Sequence, residues 1–301
     1  MKIPPIKFGS LLLISTLFIS TLFPSLSFAK DIVTSIPTTY ILSEQLMRET
    51  GIETLYLPPK RYGIERLVNW FAGQGRELAK QAGEKATVAI TLGAVWPQDP
   101  TFIYTRQGNI RMIEIDASQA ISPRAQGVAV LKSDEQALSK YVWMNPTNLI
   151  RMASIIGEDL KKIYPEYAIK IEHNHQTLLK EIRQLINQQQ GVLLDKNIED
   201  VVLLSAALED FASGHQLFVA ARQFNSELEW TEADKQALKR RFEENESLWL
   251  LTDKRPSMSL LALIPKERII EIDTLVRFGN YRMNEKKPLH RWQLKCDTCY
   301  M

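Results

Sequence analysis

Hydrophobic and polar positions along this chain change period repeatedly. "DIVTSIP" (31–37), "IETLYLPP" (52–59), "TVAITLG" (87–93) and "MIEIDAS" (112–118) are short apolar or alternating runs bounded by turn-forming residues. They read as buried or half-buried strands. Between them, "TTYILSEQLMRET" and "IERLVNWFAGQGRELAKQAG" carry apolar residues at helical spacing. The same alternation returns in "DVVLLSA" (200–206), "LFVAARQF" (217–224), "LWLLTDK" (248–254) and "IIEIDTL" (269–275). Strand–helix alternation of this kind predicts an α/β fold of two lobes, each a mainly parallel sheet flanked by helices.

Two helical segments lie between the lobes. In "WMNPTNLIRMA" (143–153), Asn145 and Thr147 are capping residues. Pro146 suits the first helical turn, where the amide it lacks would have no partner. The second segment, 165–190, repeats Ile171, Leu178, Ile182, Leu185 and Ile186 at helical spacing and reads as ending at Gln188–Gly191. About 25 residues at 1.5 Å each make roughly 37 Å, a long rigid linking helix able to run along both lobes.

The first residues obey a different pattern. Lys2 and Lys7 precede an apolar run ending near Phe23, and Ser27 and Ala29 form a small-x-small exit. Ser15, Thr16, Ser20 and Thr21 dilute the run, which favours a secretory signal peptide cut after Ala29 over a membrane anchor. The mature chain is therefore expected to be exported. The expected organisation is 1–29 signal peptide, 30–144 N-terminal lobe, 145–190 helical segment with the linking helix, and 191–301 C-terminal lobe with a basic tail. Without Lys2 and Lys7 the formal charge falls from +2 to zero, so no global field gathers nucleic acid.

Candidate chemistry is sparse. No phosphate-binding loop, nucleophile elbow or zinc-protease motif occurs, so no enzymatic activity is expected. His173 and His175 are two apart on a helix, about 200° around its axis, and cannot chelate one ion together. His215 follows Gly214 at an expected helix end, where an imidazole can meet the last carbonyls. His290 lies in the tail among Arg277, Arg282, Lys286, Lys287 and Arg291. Surface or capping roles are expected for these histidines, and a solvated course or a contact to an acidic partner for the tail. Cys296-x-x-Cys299 has the spacing of a redox dithiol or half a zinc site, with His290 upstream as a third ligand. A plain local disulfide, or no function at all, is the expected outcome in an oxidising compartment.

The segment "SKYVWMNP" (139–146) ahead of the helix at Pro146 gives the pattern a family context. The chain resembles the periplasmic solute-binding proteins of zinc and manganese ABC transporters over nearly all of its mature length. That family places Asp-Pro-His-Val-Trp-Leu-Asp-Pro here. Trp143 and Pro146 match, and Tyr141 takes the place of a metal-binding histidine. Pro165, Glu166 and Asn174 match the start and course of the family's linking helix. Where the family has His-Asp-Ala-Phe-x-Tyr-Phe and then Tyr-Gly-Leu, this chain reads "SAALEDFASGHQL" (205–217), with Phe211 and Leu217 matching and Ser205 at the histidine. A third family histidine follows a Pro-Pro-Gly loop. Here "LPPKRYGIERL" (57–67) places Tyr62 nearest to it when Glu65 is aligned with the family's glutamate. Asp273 matches the family's late acidic ligand.

The resemblance thus implies the solute-binding component of a metal-type ABC importer, a monomer serving a membrane permease, with a remodelled ligand site. Tyr62, Tyr141, Ser205 and Asp273 are the ligand-binding residues it implies, for a small solute or a transported divalent zinc or manganese ion. Asp273 is the one metal-type ligand among them; neutral phenols and hydroxyls are poor ligands for zinc. No resident cofactor is expected. The alternative is an exported two-lobed scaffold that binds no solute. A carboxylate left in an emptied cleft is costly unless its charge is stabilised, so Asp273 is expected within hydrogen-bonding reach of a tyrosine hydroxyl or an arginine. Arg61 is the first expected cation.

Overall fold

The structure, a computed structural model, describes residues 31–120, 126–132, 137–279 and 287–296. The expected signal peptide and Cys299 lie outside these residues. The described residues form two four-stranded sheets, both wholly parallel. In the first, β1 (Ile32–Thr34) and β3 (Val88–Thr91) are central, with β2 (Thr54–Tyr56) and β4 (Ile113–Asp116) at the edges. In the second, β5 (Asp200–Leu203) and β7 (Trp249–Thr252) are central, with β6 (Phe218–Arg222) and β8 (Ile269–Glu271) outside. Strands covered on both faces have no polar side to alternate with. That is why β3 and β7 are buried at every position, while the edge strands β4 and β6 expose Ile113 and Phe218.

Helices α1 (Pro37–Leu46), α2 (Leu67–Ala72), α3 (Arg76–Gly83) and α4 (Pro100–Thr105) belong to the first sheet. The run expected as one helix from Ile64 is broken between α2 and α3. Gly75 lies so close to Trp70 that a Cβ there would sit 2.5 Å from the indole ring, and only glycine fits. Helices α7 (Glu209–Gly214), α8 (Glu232–Glu244) and α9 (Met258–Leu261) belong to the second sheet.

Between the sheets run α5 (Pro146–Ile163) and α6 (Ala168–Asp195). Asn145 caps α5 by accepting the Thr147 amide at 3.0 Å, and Pro146 opens it. At 28 residues, α6 is roughly 42 Å long. It does not stop at Gly191 as its sequence suggested. Val192 and Leu193 prolong the buried stripe, and nothing lies near the Gly191 Cβ position to force a turn. The helix is fixed at both lobes. Asn174 donates to the Leu46 and Arg48 carbonyls at 3.0 and 2.8 Å, and Gln189 donates to the Trp292 carbonyl at 2.7 Å.

A second correction concerns the tail. Leu289, Trp292 and Leu294 are buried, and Lys295 exchanges backbone hydrogen bonds with Glu271 on β8. The basic residues obscure an apolar spacing that docks this segment on the second sheet instead of leaving it in solvent. One continuous apolar core results, from Ile32 and Ile90 through Trp143 and Leu149 to Leu203 and Ile270. Lobes that share a core move as one body more readily than as two.

Candidate interlobe site

In a parallel sheet the C-terminal ends of the strands share one edge, and open α/β sheets place ligands there. Tyr62 lies on the loop leaving β2, Ser205 follows β5, and Asp273 follows β8. Tyr141 precedes α5, on a short aromatic turn (Val142–Met144). Contacts between these segments cross the lobes. The Ile64 amide donates to the Val276 carbonyl at 2.9 Å, and Gly63 pairs with Arg277 in an antiparallel bridge. Phe278 packs on Tyr40 and Tyr56, with ring centroids 5.5 and 5.1 Å away. Trp143, fully buried, donates its indole N–H to the Thr274 carbonyl at 2.9 Å. Ser139 donates its hydroxyl to buried Asp210 on α7.

The four expected site residues therefore share a neighbourhood, but among the described residues no hydrogen bond joins any two of them. Tyr141 donates its hydroxyl to Glu65 at 2.6 Å, and Lys140 binds the other oxygen of the same carboxylate at 2.8 Å. Burial, the hydrogen bond to Glu65 and the charges of Glu65 and Asp253 push the Tyr141 phenol far above its ordinary range, so it is a neutral donor. Burial pushes Glu65 upward, but the Lys140 and Tyr141 hydrogen bonds outweigh it and hold the carboxyl below its usual value. Ser205 accepts the Ala207 amide at 3.4 Å, capping its own helical turn. Tyr62 is half-buried beneath the Arg61 guanidinium, 5.5 Å from its ring.

Asp273 has the most consequential surroundings. Arg291 grips it with two donors, Nε to Oδ2 at 2.8 Å and Nη2 to Oδ1 at 2.9 Å. Both side chains are nearly enclosed, 6% exposed for Arg291 and 15% for Asp273. The partner is thus an arginine, but not the expected Arg61, whose exposed turn carries it onto Tyr62. Arg291 also donates to the Arg277 and Phe278 carbonyls at 3.0 and 3.3 Å. Asp273 Oδ1 further accepts the Leu275 amide at 2.9 Å, closing a turn that holds Leu275 at φ 51°. A buried leucine in the left-handed region is strained and persists only where its surroundings fix it. Here Asp273 and Trp143 fix it.

His173 is exposed on α6 and His215 follows the end of α7, both as expected, but two imidazoles are in unexpected surroundings. His175 is buried between α5 and α6, not on the surface. His215 packs on the Phe211 ring at 4.4 Å, with both nitrogens buried and unpartnered, and burial lowers its pKa to about 4. It is therefore no cationic cap for α7. His290 directs Nδ1 to the Lys287 carbonyl at 2.8 Å. Cys296 is disulfide-bonded, which removes it as a thiolate ligand.

Two outcomes follow from this geometry. Asp273→Asn leaves the buried Arg291 charge without its carboxylate. It should cost about 2–4 kcal/mol, lowering the melting temperature by roughly 5–10 °C, whereas an unchanged midpoint would place Asp273 in solvent. Asp210 provides the pH dependence. Burial raises its pKa from 3.8 to about 6, against the Ser139 hydrogen bond. A raised folded-state pKa gives stability that is complete below 3.8 and is lost as pH rises through about 6. Asp210→Asn should therefore match the parent in acid and exceed it by about 1–3 kcal/mol above neutrality, read from melting at several pH values. A constant difference across that range would contradict the burial of this carboxyl.

The description "Zinc-uptake complex component A periplasmic" fits residues 77–276, two thirds of the chain. Among solved structures, an FpvC mutant from Pseudomonas aeruginosa superposes with a TM-score of 0.65 at 15% identity, covering 84% of this chain and 92% of that one. The metal-dependent lipoprotein YcdH from Bacillus subtilis gives 0.64 at 14% identity, over 83% and 90% of the two chains. The Zn(II)-bound ZnuA-like domain of Streptococcus pneumoniae AdcA gives 0.60 at 17% identity, over 81% and 87%. At such identities the superpositions establish the fold alone. No curated protein sequence matches the chain at a significant level. With its two parallel sheets, its linking helix and the extent of the family match, this chain belongs to the family of the periplasmic zinc-uptake component A, the metal-type solute-binding proteins.

Proposed function

We propose that this protein is the periplasmic solute-binding component of a metal-type ABC importer, with an interlobe site remodelled so that it no longer holds zinc or manganese tightly. The observation that carries this reading is the Asp273–Arg291 pair. The residue at the family's acidic ligand position already has both oxygens engaged, by a guanidinium and by its own turn. A metal ion there would have to displace a buried cation and open the turn at Leu275. Tyr62, Tyr141 and Ser205 supply neutral oxygens where imidazoles would be needed, and zinc selects nitrogen, thiolate or carboxylate.

The solute that suits such a site is a polar one that hydrogen-bonds to the Tyr62 and Ser205 hydroxyls, in place of a bare dication, since Glu65 already has both oxygens engaged by Tyr141 and Lys140. Export through residues 1–29, a monomeric state and delivery to a membrane permease complete the proposal. A second reading, an envelope scaffold that binds no solute, draws on the Gly63–Arg277 bridge and the Phe278 aromatic cluster, which fasten the two lobes to each other.

Calorimetric titration of the mature chain with zinc and with manganese decides the central point. Neither ion should bind between the lobes with nanomolar affinity. Nanomolar binding that is lost in Asp273→Asn would overturn the reading.

A further inference from the structure

Remote from the cleft, α5 and α6 bring together Glu158, Glu172 and His175, whose ligand atoms all lie within 4.8 Å of one another. An acidic pair on a helical surface is ordinary, but the histidine is not. His175 is 4% exposed, and its Nδ1 has no hydrogen-bond partner. Buried polar atoms are nearly always paired, so an orphaned ring nitrogen needs an explanation.

The hydrogen bonds around the ring accommodate a tautomer that leaves Nδ1 open. Ser154 donates its hydroxyl to the Ile150 carbonyl at 3.0 Å. With its only proton so placed, Ser154 Oγ, 3.2 Å from His175 Nε2, accepts, and Nε2 carries the ring proton. Nδ1 is left with a bare lone pair, 3.9 Å from Glu172 Oε2. A lone pair facing a carboxylate is unfavourable unless a cation lies between them. A histidine held by an outer hydrogen bond, with its other nitrogen free, is how proteins present imidazole to a metal. Gly157 permits the arrangement, because a Cβ there would meet the His175 ring at 3.3 Å.

Lys161 now supplies the positive charge. Its ammonium bridges Glu158 at 2.8 Å and Glu172 at 2.5 Å, on a flexible stem that reaches solvent. We propose that Glu158, Glu172 and His175 Nδ1 form a peripheral site for a divalent transition-metal ion of the zinc class, which enters as the Lys161 ammonium swings out. Two carboxylates and one imidazole leave the fourth tetrahedral position to water, a ligand set that favours zinc over magnesium or calcium. No covalent or redox step is involved; one cation replaces another.

Calorimetric titration of the mature, disulfide-intact chain with zinc chloride tests the site. Lys161→Met removes the competing cation and should tighten binding about tenfold, since an ammonium held by two carboxylates is worth that much or more. Glu158→Gln and His175→Gln should each abolish binding in the Lys161→Met background. Glu158 is exposed and its variant will fold whatever becomes of the buried histidine. Zinc affinity unaffected by Lys161→Met, or binding that survives both ligand substitutions, would overturn the proposal and leave Lys161 a structural ion-pair partner only.

Discussion

The two lobes of this protein meet on the turn that begins at Asp273, and three separate elements hold that turn. Arg291, from the docked tail, neutralises the carboxylate with two parallel hydrogen bonds. Trp143, from the turn before α5, takes the Thr274 carbonyl. The Trp292 indole in turn donates to the Trp143 carbonyl at 3.4 Å, and Gln189 on the linking helix holds the Trp292 carbonyl. A buried bidentate pair is strong only while both partners stay and their remaining donors are satisfied. Arg291 meets that condition through the Arg277 and Phe278 carbonyls. The middle and the end of the described chain thus converge on one turn.

This construction bears on the proposed function because Asp273 is the residue whose sequence context resembles that of the family's late acidic ligand. A carboxylate offered to an ion must be unengaged and negative; one gripped by a guanidinium and closing its own turn is neither available nor in need of a cation. The other charges at the lobe junction follow the same pattern. Glu65 is satisfied by Tyr141 and Lys140, and burial first, then the hydrogen bond to Glu65 and the nearby Glu65 and Asp253 charges, keep the phenol of Tyr141 neutral. The interlobe region therefore balances its charge internally. Among the described residues, an unpartnered imidazole nitrogen beside two carboxylates lies instead between α5 and α6, on His175, where Lys161 supplies the positive charge.

Much of the fold was legible in the sequence because parallel sheets impose strong local signatures. Each central strand is a short unbroken apolar run, and Asn145-Pro146 starts α5 by capping chemistry that needs no tertiary context. The positions of Tyr141, Ser205 and Asp273 after their strands or before α5 were equally plain. What the pattern hid was long-range pairing. Arg291 and Arg61 are both basic residues beside aromatic ones, and no local rule says that the first is buried on Asp273 while the second covers Tyr62. Leu289, Trp292 and Leu294 were the available signal that the tail docks, and an arginine inside a docked segment needs a carboxylate. His175 was misplaced for a similar reason. Two positions from His173, it faces the opposite side of α6, and only the packing of α5 shows that this side is buried.

The most direct measurement is a crystal structure of the mature protein grown with excess zinc, with anomalous scattering recorded at the zinc edge. The account predicts that Arg291 stays bidentate on Asp273 and that no zinc peak lies between the lobes. A peak coordinated by Asp273, with Arg291 turned away and the turn at Leu275 opened, would contradict it.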